Sequence, residues 1–344
     1  MSKHNGASSP PDVSVSIVSY NTRDLLRDCL ASLRARAAEG EVTVEVIVAD
    51  NGSNDGSVAM VEREFPEFIV FHTGGNIGYG RANNAALARS TGRYFFVLNS
   101  DTEVEPGALR EMRDFLDENP QIGCAGAKLI LPDGSTQPSV GTDPTMRAVF
   151  FEQTYLDKML PKSKLTGGYL LTWWDYKERR EVEQVCGACL FVRREAWEAI
   201  RGFDPAYFMY FEDTDFCVRM RRAGWPIWYL PEARIQHRLG GSSGGDWRVR
   251  ARMIAAYNQS RYYFWTRETG RAAGFLVKAF TLLGAALRLL AWSGKALKNP
   301  RDGEARRQQK LFRRVWWLTA RMTPQPDGPP PSEAEKFPND GDTP

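Results

Sequence analysis

Four short apolar runs divide the first hundred residues, and three of them stop in clusters of polar, turn-forming side chains. VSVSIVS (13–19) leads into Ser19-Tyr20-Asn21, VTVEVIVA (42–49) into Asp50-Asn51-Gly52-Ser53, and YFFVL (94–98) into Asn99-Ser100-Asp101. A fourth run, FIVF (68–71), is the shortest. Their length and β-branched content predict buried strands. Helical spacing fills the gaps: Leu25, Leu26, Cys29, Leu30 and Leu33, then residues 56–64, then 80–89. Strand–helix alternation of this kind predicts a parallel, doubly wound α/β sheet. Ligands of such sheets bind at the carboxyl ends of the strands, where the three polar clusters fall.

Beyond residue 104 the pattern loosens. Helices are expected over 105–119, 193–200, 213–223 and 250–268, the third stopped by Gly224. Residues 132–180 carry Pro, Gly and aromatics and read as a loop-rich insertion. Residues 271–298 form a long apolar segment interrupted by Lys278, Arg288 and Lys295, with a basic stretch after it. This pattern suits a helix lying on an anionic membrane surface, or one buried against the domain or a second copy. No uncharged stretch reaches the length of a membrane span. The first 12 residues lack the apolar core of a signal peptide, and they and the Pro-rich tail after about 321 are expected to be disordered.

A net charge of +3 over 344 residues is too small to imply a nucleic-acid partner. The five cysteines are too scattered for a disulfide framework and point to a reducing compartment. Cys186-Gly-Ala-Cys189 has CxxC spacing without a second pair, and reads as small buried thiols rather than a zinc or redox site.

Several clusters are candidates for chemistry, each with a plain structural alternative. Asn99-Ser100-Asp101 can hold a divalent cation against a diphosphate, or merely make a turn. Asp50 can accept hydrogen bonds from a nucleotide, or open the turn that follows it. Gly74-Gly-Asn-Ile-Gly78-Tyr-Gly follows the third strand, not the first, so a nicotinamide-dependent oxidoreductase is disfavoured and a backbone-hugging loop near a phosphate or sugar is expected. His237 stands at the end of a short strand as a ligand or a core residue. Trp173 and Trp174 can stack on a sugar or pack beneath the insertion. Glu212-Asp213-Thr-Asp215 can favour a helix N-terminus and still present an ionised carboxylate able to take a proton.

Taken in order, VSIVSYN, ADNGS, GNIGYG with Asn83-Asn84, LNSD, Gly187-Ala188, GFD, FEDTDFCVR and PEA to His237 resemble the inverting family 2 glycosyltransferases of GT-A fold. The likeness spans residues 13–245, and the sequence is similar to the bacterial branch that holds rhamnosyltransferases. The resemblance implies a catalytic domain over 13–245, with a nucleotide-binding half (13–103) and an acceptor half (104–245), then a helical extension (246–320) able to associate with a membrane. It implies that Ser19, Tyr20, Asn21, Asp50, Asn51, Gly52, Gly78, Asn83 and Ser100 surround a nucleotide-sugar. It implies that Asp101, with His237 and Asn99, holds Mg2+ or Mn2+. Asp213 resembles the base, with Glu212 and Asp215 supporting it. Gly187 and Ala188, together with Trp173 and Trp174 if they stack on a sugar, are the candidate acceptor contacts. The activity implied is transfer of a sugar, dTDP-rhamnose being the first donor considered, to a saccharide or polyprenyl-diphosphate-linked acceptor at the cytoplasmic face of the membrane. A UDP-sugar transferase and a catalytically silent scaffold are the alternatives.

Overall fold

The computed structural model describes residues 10–160, 163, 165, 169–238 and 246–324. The expected leader and tail fall mostly outside these residues. The first half runs β1 (Val13–Ser19), α1 (Arg23–Ala38), β2 (Val44–Asp50), α2 (Ser57–Glu64), β3 (Ile69–His72), α3 (Tyr79–Leu87), β4 (Tyr94–Asn99), β5 (Thr102–Val104), α4 (Ala108–Glu118) and β6 (Cys124–Ile130). The insertion holds β7 (Val140–Gly141), α5 (Met146–Thr154) and α6 (Leu156–Met159). There follow β8 (Arg180–Val182), β9 (Gln184–Val185), β10 (Cys189–Arg193), α7 (Arg194–Ile200), α8 (Glu212–Arg222) and β11 (Ile227–His237). Three helices close the chain: α9 (Trp247–Thr269), α10 (Arg271–Lys298) and α11 (Gly303–Arg321).

The main sheet has the order β3-β2-β1-β4-β10-β6-β11-β5, with β8 beside β11. Its first four strands are parallel, as the alternation predicts. β10 then enters antiparallel between β4 and β6. β1 and β4 are buried on both faces, which is why they read as near-continuous apolar runs. Their register sets Ser19 beside Asp50 and Val18 beside Asn99, so the polar strand ends share one edge. The antiparallel pairing of β5 with the end of β11 sets His237 opposite Thr102, one residue from Asp101. Two residues 136 apart in sequence are thereby neighbours in space.

The C-terminal helices are part of the globule. On α9, Tyr257 meets the rings of Tyr210 (5.7 Å) and Phe211 (5.3 Å), and Ser260 Oγ donates to the Met209 carbonyl at 2.8 Å. α10 is long and apolar enough to cross a membrane by length and composition, with 28% of its apolar window buried. Two of the cations that interrupt its sequence turn inward: Lys278 Nζ donates to the Met322 carbonyl at 2.8 Å, and Arg288 to the Gln153 carbonyl at 3.1 Å. Phe275, Leu283, Leu287, Leu290 and Leu297 are left exposed along the outside.

Candidate active site

The strand ends, the 203–212 loop and the start of α8 enclose a cleft of about 400 Å3. Of the residues named from sequence, it gathers Tyr20, Asn51, Asn99, Ser100, Asp101, Gly187, Ala188, Glu212, Asp213 and His237. It also gathers Asn76, Tyr79, Met209, Tyr210 and Met253, to which sequence reasoning assigns no role. Asn76 and Tyr79 lie within the glycine loop of 74–80; Met253 carries no local signal, because only the packing of α9 brings it here.

Two backbone donors hold Asp213. The Gly187 N–H donates to its Oδ2 at 2.9 Å and the Thr214 N–H to its Oδ1 at 2.8 Å. Burial pushes its carboxyl above the usual value, and these two donors pull the other way by favouring the anion. Gly187 is itself anchored, since Tyr79 Oη donates to its carbonyl at 2.8 Å. The backbone entering α8 is strained: Tyr210 and Phe211 both lie in the left-handed region, at φ 69° and 63°. The aromatic contacts from α9 over-determine that turn and aim the acids at the cleft.

Glu212 is buried, and its Oε2 has no hydrogen-bond partner among the described residues. Burial, and then the neighbouring Asp213 charge, push its carboxyl up to about 8. The consequence for stability has a definite sign. Between pH 4.5, the ordinary value, and about 8, the folded chain keeps a proton that the unfolded chain has lost. Stability therefore falls as pH rises through that window. Glu212→Gln should flatten this slope and melt higher than the parent at pH 8, as thermal unfolding from pH 5 to 8 would reveal. A parallel pair of curves would count against a neutral Glu212.

Asp101 and His237 form the second pole of the cleft. His237 Nε2 lies 3.2 Å from Asp101 Oδ1, while its Nδ1 bonds Gln137 Oε1 at 2.7 Å. An imidazole anchored at Nδ1 by an amide oxygen presents its other nitrogen as a ligand, the usual support for a metal-bound histidine. Among the described residues no group of three or more acidic, His or Cys side chains gathers around a common point. One carboxylate and one imidazole nevertheless fit a magnesium-like ion, which takes few protein ligands and completes its shell with water and substrate phosphate. Asn99 lines the cleft beside them.

Other sequence candidates serve the scaffold. Ser19 Oγ meets Thr22 Oγ1 at 3.2 Å, and Thr22 donates to Ser100 Oγ at 3.0 Å, so Ser19 is enclosed in a hydroxyl chain. Asn83 is fully buried, accepting from Ser16 Oγ and donating to the Tyr79 carbonyl. Asn21 accepts from the Asn54 N–H in a separate shallow depression. Asp50 turns to the Ser53 N–H at 3.2 Å and has His72 Nδ1 3.7 Å away. Gly52 and Gly78 are required by protein rather than ligand. A Cβ on Gly52 would lie 3.1 Å from Gly75 Cα, and one on Gly78 would run into the Phe208 carbonyl oxygen. Trp173 and Trp174 do not line the cleft: Trp174 packs on Tyr176 (4.7 Å) and Tyr229 (5.2 Å), with Arg180 over both tryptophan rings. Asp215 also faces away, bound to Arg219 Nε at 2.7 Å and Arg267 Nη1 at 3.1 Å.

This arrangement corresponds to known proteins. The model of glycosyl transferase family 2 matches residues 14–167, and that of glycosyl transferase family group 2 matches residues 94–319. The chain is 34% identical over 263 residues to the N-acetylglucosaminyl-diphospho-decaprenol L-rhamnosyltransferase of Mycobacterium tuberculosis, covering 72% of this chain and 81% of that protein. The chain belongs to glycosyl transferase family 2. The transferase is also 26% identical over 241 residues to the O-antigen biosynthesis protein RfbC of Myxococcus xanthus, across 69% of its own length and 18% of that protein. In three dimensions it resembles GalNAc-T7, solved with UDP, GalNAc and Mn2+, with a TM-score of 0.52 and 16% identity over 77% of this chain and 52% of that one. That likeness is one of fold: the transferase has the GT-A architecture.

Proposed function

We propose that this glycosyltransferase moves L-rhamnose from dTDP-rhamnose, with inversion, to a saccharide carried on a polyprenyl diphosphate in cell-surface polysaccharide assembly. The observation that carries the reading is Asp213, fixed by two backbone N–H groups at the wall of a cleft whose other pole is Asp101 and His237. The identity to the mycobacterial rhamnosyltransferase, over most of both chains, supports the choice of sugar and acceptor.

In this reading an acceptor hydroxyl lies against Asp213. The hydroxyl oxygen bonds to the anomeric carbon as the bond to the donor diphosphate breaks on the opposite face, and the proton passes to an oxygen of Asp213. One displacement without a covalent intermediate inverts the anomeric centre, by the stereochemical logic that also governs glycosidases. Asp101 and His237 would hold Mg2+ or Mn2+, which when bound neutralises charge on the leaving diphosphate. Tyr79 and Gly187 keep Asp213 in place.

A thermal-shift panel of dTDP-rhamnose, UDP-glucose, UDP-galactose and GDP-mannose, each with and without Mn2+, tests the donor. A ligand bound only by the folded state raises its apparent stability. The expected result is a manganese-dependent shift with dTDP-rhamnose alone. A shift with a UDP-sugar instead would reassign the donor, and no shift with any would sink the reading.

The same proposal places the chain at the inner surface of the cell membrane. Support comes from the outward leucines of α10, where Leu290 is 69% and Leu297 80% exposed, and from the basic segment after it. Leu287→Ser/Leu290→Ser should lower recovery with anionic phospholipid vesicles in a flotation assay without changing the melting temperature. Equal recovery of parent and variant would remove α10 from the membrane contact.

A further inference from the structure

A second cavity of about 400 Å3 lies between α5, α9, α10 and α11. Tyr210 and Met253 line both this cavity and the catalytic cleft, so the two share a wall. Its lining mixes apolar side chains (Ile254, Ala285, Phe312 and Val315) with two cations, Arg250 and Arg288, and a single carboxylate, Glu152. Arg250 stands one turn before Ile254 on α9, and the Arg288 guanidinium is 6.0 Å from the Phe312 ring centre.

The charges do not cancel. Glu152 Oε2 is already engaged by Arg261 Nη1 at 3.0 Å, and Arg261 is only 1% exposed. A buried arginine needs that partner, so Glu152 is not available to neutralise the rim. Arg288 is held rigidly by the Gln153 carbonyl at 3.1 Å and the Glu152 carbonyl at 3.2 Å, with its guanidinium 4.1 Å from the Tyr155 ring centre. Those carbonyls orient it without removing its charge. Arg250 is exposed and forms no ion pair with any described residue. Two cations without a carboxylate partner among the described residues, set beside apolar side chains, favour an amphiphile with a multiply charged anionic head.

We infer that this cavity binds the diphosphate and first isoprene units of a prenyl-diphosphate-linked acceptor. Arg250 and Arg288 face the diphosphate, and Ile254, Phe312 and Val315 face the hydrocarbon. Its shared wall with the cleft lets the attached saccharide reach Asp213 while the head stays behind. That last step rests on the transferase reading; binding of the prenyl diphosphate does not.

Titration calorimetry on the full chain separates the two. The probes are farnesyl diphosphate, inorganic pyrophosphate and farnesol, with EDTA present so that no cation holds a diphosphate in the cleft. Farnesyl diphosphate should bind at least about tenfold more tightly than either fragment, and Arg250→Ala should weaken it by about tenfold, the usual loss for a hydrogen bond to a charged group. Ile254→Ala should weaken farnesyl diphosphate and leave pyrophosphate unchanged. Arg250 is on the surface, so its variant should melt with the parent. Pyrophosphate binding as tightly as farnesyl diphosphate would mean a plain phosphate site and overturn the inference. So would no binding, or binding equal in the parent and both variants. The donor panel fails independently: a chain that binds farnesyl diphosphate but no sugar nucleotide keeps this cavity and loses the transferase reading.

Discussion

Asp213→Asn should lower turnover by about 10³-fold, within the range typical for removal of a general base, and leave the donor-induced thermal shift unchanged. The substitution keeps the side chain's size and its place beside Gly187. It removes the basic oxygen that receives the acceptor proton. It also exchanges one acceptor for a donor where two N–H groups point at the carboxylate, so a small loss of melting temperature belongs to the prediction. Single-turnover transfer from a labelled donor is the measurement. If Asp213→Asn turns over within a few-fold of the parent, another group takes the proton. Glu212, buried and pushed up to about 8, is then the first to examine.

The part of this site that can be read from sequence is the part built by local pattern. β1, β2 and β4 announce themselves as apolar runs, and their parallel register puts Ser19, Asp50 and Asn99 on one edge, as alternation requires. What cannot be read depends on long-range pairing. The antiparallel insertion of β10 and the pairing of β5 with β11 follow no local periodicity, yet the second of these sets His237 beside Asp101. The glycines of 74–80 are legible as close-approach positions but not for what approaches. The neighbour of Gly78 is the Phe208 carbonyl, 130 residues away. Trp173 and Trp174 have two equal readings in sequence, and packing on Tyr176 and Tyr229 chooses the structural one for Trp174. On α10 the interrupting cations look like breaks in an apolar face, but Lys278 and Arg288 turn to the protein side, Arg288 onto the wall of the second cavity. Sequence reports charge; only tertiary structure reports where it points.

Two residues beyond Asp213 the expected outcome reverses. Asp215→Ala should cost about 3–5 kcal/mol of stability, the range for breaking a buried ion pair from one side, and leave turnover per folded molecule near the parent's. Helix geometry alone separates the two acids. At 3.6 residues per turn, positions two apart on α8 point about 200° from one another. With Asp213 facing the cleft, Asp215 faces the interior, and it is 1% exposed there. Its carboxylate holds Arg219 from the same helix and Arg267 from α9. Burial pushes its carboxyl up while both arginines oppose that shift. Removing it leaves two cations without their shared partner, with Arg267 still bound to Asp204. Because Arg267 keeps its bond to Asp204, α9 stays in place, and with it the aromatic clamp on Tyr210 and Phe211 that aims Asp213 at the cleft. Denaturant titration gives the stability, and initial rates normalised to folded protein give the turnover. A variant that keeps its stability but loses turnover would return Asp215 to the chemistry. An Asp215→Asn variant, which keeps the volume and some of the hydrogen bonds, should fall between parent and alanine in stability if the role is structural.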